Sequence, residues 1–482
     1  METRAEVEED CSLLIGGGRV EGHERPIVIL NKYTGIEIAR AHIPDSSQIR
    51  MTVTAAHRAW RAGVPSNAER AAILDRAAML VEGSSSEFVR LLRLEAGFPG
   101  ADGVAEVNRC VQTLRLSATA ARELAGHMVP LSGSPGHEGK LGFTLRVPLG
   151  VVLAIAPFNS PLNTVTHKLA PAFAAGNAVI LKPSSETPLT AGKFANLLIE
   201  AGMPSGFLSV LHGGADTVQQ LLRQPEIRYI AFTGSTETGR AIQAAAGLRR
   251  TQMELGSIAF TILCADADVD RALPKIVTAA YRKAGQVCTS IQILLVHRSL
   301  RDTVEPRLRD MVAAVPYGDP SRANTVTGPV INEQAAARIN RSIEAALRSG
   351  AVRLAGAERV GNVIPPTLLT HVDDSMDVVS QEIFGPVMSL QYFDELSQAI
   401  AQVNGSPYGL ATGIFTNRVD QAFEAIRGLE VGSVYVNETC SSRVDSMPYG
   451  GTKDSGFGRE GPRYAVAEMS EEKMVVFSSV GL

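Results

Sequence analysis

The sequence predicts an α/β protein built on two wound, mostly parallel sheets. Three observations carry that expectation. Short apolar, β-branched runs alternate with amphipathic stretches through most of the 482 residues, and strands alternating with helices make βαβ units. The alternation restarts after Leu255-Gly256-Ser257, which marks a boundary between two such units. At 45% hydrophobic and 20% charged residues, the chain has the composition of a globular protein with ample core.

Taken in order, residues 55–61, 68–81 and 104–124 carry apolar side chains at helical spacing. Gly150-Val-Val-Leu-Ala-Ile-Ala-Pro157 reads as a buried strand and 162–175 as a helix. Strand 178–182, helix 188–201, strand 208–211 and helix 217–224 follow. Strand 229–233 runs into Gly234-Ser-Thr-Glu-Thr-Gly239, where another helix starts. In the second half, 260–263, 291–296, 388–392, 413–415 and 433–436 are the strand candidates. Residues 141–147 and 473–477 are β-rich but fit neither sheet. Exposed strands need a partner, so these two are predicted to pair as a small arm at an oligomer contact.

Composition excludes several classes of function. Forty-six basic against 50 acidic residues, a net charge of -4, give no electrostatic case for nucleic acid or an anionic membrane. Five scattered cysteines, Cys11, Cys110, Cys264, Cys288 and Cys440, argue against a disulfide framework and for a reducing compartment. The acidic first ten residues lack the basic and apolar regions of a signal peptide. Apolar runs such as 151–156 are far shorter than the roughly 20 residues that span a bilayer. The expectation is a cytoplasmic protein.

Four places could carry chemistry. Cys288, in Ala284-Gly-Gln-Val-Cys-Thr-Ser290, sits among small polar residues. A nucleophilic cysteine needs a thiolate, which helix N-termini favour; the alternative is a buried structural thiol. Glu254, in Thr251-Gln-Met-Glu-Leu-Gly256, is a lone carboxylate in an apolar stretch. Such surroundings raise its pKa toward general-base work, unless it is ion-paired at the surface. Asn159 lies in the turn of Ala156-Pro-Phe-Asn-Ser-Pro-Leu162, where its amide can donate to a developing oxyanion or simply cap a helix. Lys182, Gly234 and Ser235 end two strands at helix starts, where wound sheets bind ligands and helix N-termini bind phosphates; ordinary strand-to-helix turns look the same. Gly456-Phe-Gly-Arg-Glu-Gly461 matches a dinucleotide fingerprint, but no strand leads into it and it is discounted. No zinc-ligand spacing, C-x-x-C or G-x-S-x-G is present, and no metal is expected.

In this order and at these separations, the motifs together resemble the aldehyde dehydrogenase superfamily, in its non-acylating, NAD(P)-dependent part. Pro157-Phe-Asn-Ser-Pro-Leu162, Gly176-Asn-Ala-Val-Ile-Leu-Lys-Pro183, Phe232-Thr-Gly-Ser-Thr-Glu-Thr-Gly239, Met253-Glu-Leu-Gly256 and Gly285-Gln-Val-Cys288 carry the resemblance. Gln381-Glu-Ile-Phe-Gly-Pro386, Gly432-Ser-Val-Tyr-Val-Asn437 and Pro448-Tyr-Gly-Gly-Thr-Lys-Asp-Ser-Gly456 extend it. It implies a Rossmann-like NAD(P)-binding domain (1–126 and 148–255), a catalytic domain (256–466) and oligomerisation segments (127–147 and 467–482), assembling as a homodimer or homotetramer.

The resemblance also implies roles. Cys288 would attack the aldehyde, Asn159 would hold the oxyanion and Glu254 would activate the water that hydrolyses the thioester. Lys182 would bind the adenine ribose, Gly234 and Ser235 the pyrophosphate, and Glu382 the nicotinamide ribose beside Phe384, with Pro157 and Leu255 flanking the cofactor. Many NAD-preferring members carry a glutamate three residues after the lysine. Here Ser185 stands there, so NADP is expected to be accepted alongside NAD.

For the substrate, the chain is similar to the lactaldehyde and phosphonoacetaldehyde dehydrogenase branch, through 249–255 and 449–462. Arg109 matches a tunnel-facing position, and arginine suits carboxylate or phosphate. With Ser160, Thr289 and Arg443 it points to a short, polar, anionic aldehyde: a semialdehyde, a phospho-aldehyde or a phosphono-aldehyde. A neutral hydroxyaldehyde is the competing substrate class, and a non-catalytic structural protein of the same fold is the competing function. Ser257 replaces the second glycine that usually follows the general base.

Overall fold

Strands of a parallel sheet that is covered by helices on both faces are buried on both sides, so their sequences become continuously apolar. Val151–Ile155 and Ala178–Lys182 are of this kind, buried at every position. The computed structural model describes residues 10–478 and places these strands at the centre of an eight-stranded sheet. Its order is Gly456–Phe457, Arg250–Glu254, Ile227–Thr233, Val151–Ile155, Ala178–Lys182, Leu208–Val210, Leu13–Ile15, Gly18–Val20. The five middle strands run parallel, and antiparallel strands close both edges.

Chain order fixes where a ligand can enter. From Val151–Ile155 the chain winds outward through Ala178–Lys182 to Leu208–Val210. It then returns to the other side of Val151–Ile155 as Ile227–Thr233. Ligands of open α/β sheets bind in the crevice at such a reversal, beyond the carboxyl ends of the strands. The crevice here lies between the segment after Ile155 and the segment after Thr233, the two turns that hold Asn159 and Ser235.

A seven-stranded sheet follows, ordered Val352–Ala355, Thr367–Thr370, Val387–Phe393, Ile291–His297, Ala259–Leu263, Ala411–Phe415, Ser433–Val436. All its pairs are parallel except the first. The chain passes from one sheet to the other between Glu254 and Ala259. Leu141–Pro148 and Ser470–Phe477 pair antiparallel along their whole lengths, with Met128–Val129 on the other side, as a separate three-stranded arm. Met128, Leu145, Met474, Val476 and Phe477 are exposed there.

Several expectations need correcting. The helix read at 55–61 begins nine residues earlier, as Ser46–Ala62, because Asp45 and Gln48 form a reciprocal capping box while the polar first turns hide the apolar stripe. The long helix starts at Gly100 rather than 104. A sheet of Asp10–Cys11, Glu37–Ile43 and Glu24–Leu30 went unread; its strands mix exposed and buried positions without clean alternation. The fingerprint-like Gly456 turns out to serve packing: its φ is +101°, and a Cβ there would lie 1.9 Å from the Met253 carbonyl oxygen. The reading of the first residues as lacking a signal peptide lies outside the described residues for 1–9. Among the described residues, no helix is long and apolar enough to cross a membrane.

Candidate active site

A cavity of about 880 Å³ opens between the carboxyl ends of the eight-stranded sheet's parallel strands and the amino ends of the seven-stranded sheet's central strands. Asn159, Glu254 and Cys288 all line it, although they come from three separate segments. So do Pro157, Gly234, Ser235, Leu255, Glu382 and Phe384, expected at the cofactor, and Arg109, Ser160, Thr289 and Arg443, expected at the substrate. Lys182 and Ser185 do not line it. They follow the neighbouring strand, with Lys182 registered against Ile155, which pairs in turn with Phe232.

Cys288 lies on the loop that enters strand Ile291–His297, not at a helix N-terminus. The loop is bent hard: Lys283, Ala284 and Gly285 are all left-handed, with φ of 51°, 53° and 67°. For the two non-glycine residues this costs about 1–3 kcal/mol each. Gly285 is obligatory, since a Cβ would sit 2.1 Å from the Gly385 carbonyl oxygen. Cys288 Sγ is 2.8 Å from the Tyr449 hydroxyl. Burial pushes the thiol up to about 11, against the opposing pull of Tyr449 and Arg443. This corrects the expectation of a thiol activated by a helix terminus: the group reaches neutral pH protonated and needs a base.

Glu254 can supply one. It ends its strand almost fully buried, and its Oε1 has no hydrogen-bond partner. Burial, and then the charge of Glu460, hold its carboxyl well above the ordinary range. Gly450 makes room for it: a Cβ there would be 2.8 Å from Oε1. Glu460 itself is tied to Lys168 Nζ at 3.2 Å and Arg443 Nη2 at 2.9 Å. Although burial opposes it, those two cations keep Glu460 ionised. The arrangement separates two carboxylates by environment, one paired and charged, one unpaired and basic.

A second buried pair braces the nucleophile loop against the Asn159 turn. Lys283 Nζ donates to Glu106 Oε2 at 2.8 Å and to the Asn159 carbonyl at 3.2 Å. Glu106 also accepts the Ser160 hydroxyl at 2.8 Å and the Leu162 and Asn163 N–H groups, satisfying the start of helix Asn163–Ala174. Ser160 therefore spends its hydroxyl inside the protein, while Asn159, whose side chain makes no hydrogen bond to a described residue, lines the cavity.

The arginines differ from what was expected. Arg109 is held by Asp445 at 2.7 Å, and Asp445 also accepts from His167 and from the Asn163 amide. Burial would raise the Asp445 carboxyl, but His167 and Arg109 hold it far below the ordinary range. Arg443 is committed to Glu460 and lies 3.8 Å above the Tyr449 ring. Among the described residues, Arg282 is the cation at the Cys288 end that pairs with no carboxylate. Its Nη2 donates to the Ser441 hydroxyl at 2.7 Å, and Ser441 accepts from Thr289, next to the nucleophile, at 3.4 Å. Val287 stands directly before Cys288.

At the cofactor end, Ser235 caps helix Thr236–Ala246 by accepting from the Thr238 N–H, leaving the first-turn amides facing the crevice. Glu382 accepts the Ser257 N–H at 2.9 Å, and burial brings its carboxyl up to about 7. Phe384, at φ +49°, meets Phe158 edge to face. Lys182 is almost buried and makes no hydrogen bond through its ammonium to a described residue; burial lowers it to about 8. Ser185 donates to the Gly213 carbonyl at 2.9 Å. Glu186 is engaged by Lys32 at 2.6 Å and by Asn332 at 2.8 Å. An orphaned ammonium and a free helix start are what a ribose and a pyrophosphate would need, so these residues fit a dinucleotide.

Sequence reading passed over Tyr449, Arg282, Lys283, Glu106, His167 and Asp445. Tyr449 was in view only as part of a motif, and the adjacent cations Arg282 and Lys283 gave no hint that one is paired and the other is not. Comparison with known proteins places the site in context. Residues 20–475 match the aldehyde dehydrogenase family. The 3-sulfolactaldehyde dehydrogenase of Priestia aryabhattai is 40% identical, over 96% of this chain and 97% of its own. Aldehyde dehydrogenase 21 of Physcomitrella patens, solved with the reaction product succinate, superposes with a TM-score of 0.95 at 33% identity over 98% of both chains. The NADP-dependent glyceraldehyde-3-phosphate dehydrogenase of Bacillus halodurans, solved with NADP, gives 0.95 at 32% identity over 98% of this chain and 100% of that one. With sequence agreement running through almost the whole length and both sheets superposing on solved dehydrogenases, the chain belongs to the aldehyde dehydrogenase family.

Proposed function

We propose that the enzyme oxidises a short aldehyde carrying an anionic group to the corresponding acid, with NAD or NADP as cofactor. Arg282 is the observation that carries the substrate class: a cavity-lining guanidinium without a carboxylate partner, joined through Ser441 to Thr289 beside the nucleophile. Guanidinium forks favour carboxylate, sulfonate and phosphate oxygens. Arg109, the residue first expected to hold the anion, already has Asp445. The similar proteins named above act on, or carry as product, sulfonate, carboxylate and phosphate compounds, which supports the same reading.

In this account Cys288 loses its proton to Glu254 and its sulfur attacks the aldehyde carbon. The Asn159 amide and the Cys288 backbone N–H take up the charge that develops on oxygen. When bound, the nicotinamide serves as the two-electron acceptor that turns the sulfur-bound carbon into a thioester. Glu254 passes the thiol proton on to solvent and then removes a proton from water, which attacks the thioester and frees the sulfur. Lys182, Gly234, Ser235, Glu382 and Phe384 hold the cofactor. Ser185 brings no negative charge to the ribose, and Glu186 is spent on Lys32 and Asn332, so a 2′-phosphate meets no repulsion and NADP is accepted.

The arm of Leu141–Pro148 and Ser470–Phe477, with its exposed apolar side chains, pairs with a second copy in a homodimer or homotetramer. Free cysteines throughout the described chain suit a cytoplasmic setting. The test is kcat/KM for matched anionic and neutral short aldehydes with the wild type and Arg282→Ala. The anionic substrate should lose about 10- to 100-fold, the worth of one charged hydrogen-bond partner, and the neutral one little. Equal loss for both would leave a neutral hydroxyaldehyde as the better substrate.

A further inference from the structure

We infer that the Tyr449 hydroxyl is a catalytic hydrogen-bond donor to the Cys288 thiolate, stabilising the sulfur anion both before it attacks and when the thioester releases it. The inference rests on the covalent role proposed for Cys288.

The geometry leaves the hydroxyl little else to do. Tyr449 is 3% exposed, and its oxygen, 2.8 Å from Sγ, makes no other hydrogen bond to a described residue. The ring cannot swing away. The Tyr449 backbone exchanges hydrogen bonds with Glu460 at 3.1 and 2.7 Å. The Arg443 guanidinium covers one face of the ring at 3.8 Å, and Glu460 in turn holds Arg443. A buried polar group held in this way must use the partner it has.

The direction of donation follows from acidity. Burial, and then the neighbouring thiol, push the Tyr449 phenol well above its ordinary range, so it keeps its proton at any working pH. A thiol sulfur is a weak acceptor, whereas a thiolate is an ionised one and draws a shorter, stronger bond. The contact therefore stabilises one protonation state of Cys288 over the other. The other groups facing that sulfur divide: Arg443 also favours the anion, while Glu254 and Glu382 oppose it and Cys440 lies close by.

Tyr449 neither gains nor loses a proton in the cycle. When the S–C bond forms, the carbonyl electron pair moves to oxygen and the hydroxyl gives up its anionic acceptor. When water's attack on the thioester breaks the C–S bond, the electron pair returns to sulfur and the same hydroxyl receives it.

Tyr449→Phe removes the donor and keeps the ring under Arg443. The titration of Cys288 can be read from thiolate ultraviolet absorbance, with Cys288→Ala as the blank, and independently from the pH dependence of iodoacetamide alkylation. Both midpoints should rise by about one pH unit in Tyr449→Phe, a tenfold loss of thiolate at neutral pH. An unmoved midpoint in both measurements overturns the inference, even if the variant melts earlier or turns over more slowly, since a packing role would do only that. Turnover that survives in Cys288→Ala would instead sink the covalent role, and the titration would still be readable.

Discussion

The two ends of the cavity are built by different means. The cofactor end is built largely from local strand-to-helix turns: Gly234 and Ser235 follow one strand, and Lys182 ends another that Ser185 follows. Glu382 and Phe384 join these turns from the seven-stranded sheet, Glu382 accepting the Ser257 N–H and Phe384 meeting the Phe158 ring. The reacting end is assembled across the chain. Glu106 binds Lys283, Arg109 binds Asp445, Lys168 binds Glu460, and Cys288 meets Tyr449, each pair separated by well over a hundred residues. One end is fixed by backbone geometry, the other by buried ion pairs. Substitutions at the reacting end should therefore cost stability and chemistry together, and those at the cofactor end should change preference alone.

The largest effect should come from the brace between the nucleophile loop and the Asn159 turn. Glu106→Gln leaves the Lys283 ammonium buried without its carboxylate, which typically costs about 3–5 kcal/mol. Denaturant unfolding should show that loss, and turnover should fall with it because both catalytic segments lose their anchor. A variant as stable as the wild type would mean that the brace contributes nothing. Next is Asn159→Ala, which removes an oxyanion donor and leaves the brace in place, since Lys283 binds the backbone carbonyl there. A loss of about 2.7–4 kcal/mol in barrier, seen in kcat at saturating substrate, is expected with unfolding unchanged.

Acidity gives a third test. Activity requires Glu254 ionised, and its pKa is raised, so kcat/KM should climb with pH through a midpoint above the ordinary carboxylate value of 4.5. A profile already flat at that value would remove Glu254 from the role of base. The smallest effect belongs to the cofactor end. Ser185→Glu places a carboxylate where the proposed NADP binding would seat the 2′-phosphate and should shift kcat/KM from NADP toward NAD by about tenfold, a single charged contact. Unfolding should not change. A stability loss like that of Glu106→Gln would erase the contrast between the two ends.

The same contrast explains what could be read from the sequence. Strand 178–182 was legible to the residue because its five apolar-to-lysine positions are buried on both faces, and the turns at Asn159 and Ser235 were legible because glycine, proline and capping residues announce themselves locally. The arm was legible as two β-rich segments that fit neither sheet. The small sheet near the start was not, since its strands alternate irregularly between core and solvent. At the site, the residue types of Cys288, Glu254 and Asn159 announced chemistry. Their protonation states do not follow from residue type: a helix end would activate the thiol, and burial does the reverse. Arg109 is already paired because Asp445 arrives from the far end of the chain, and Arg443 because Glu460 folds back from beyond the next turn; neither pairing shows as a local pattern.

In the proposed mechanism a carbon–sulfur bond forms at Cys288 and Glu254 clears it. Glu254→Gln mixed with aldehyde and cofactor, quenched in acid and analysed by peptide mass spectrometry, tests both halves at once. Reduced cofactor should form more slowly than in the wild type, since the thiol then ionises only to solvent, and should stop at one equivalent per active site, with the acyl mass on the peptide that contains Cys288. Full steady turnover in that variant, or an acyl mass on any other residue, would contradict the mechanism.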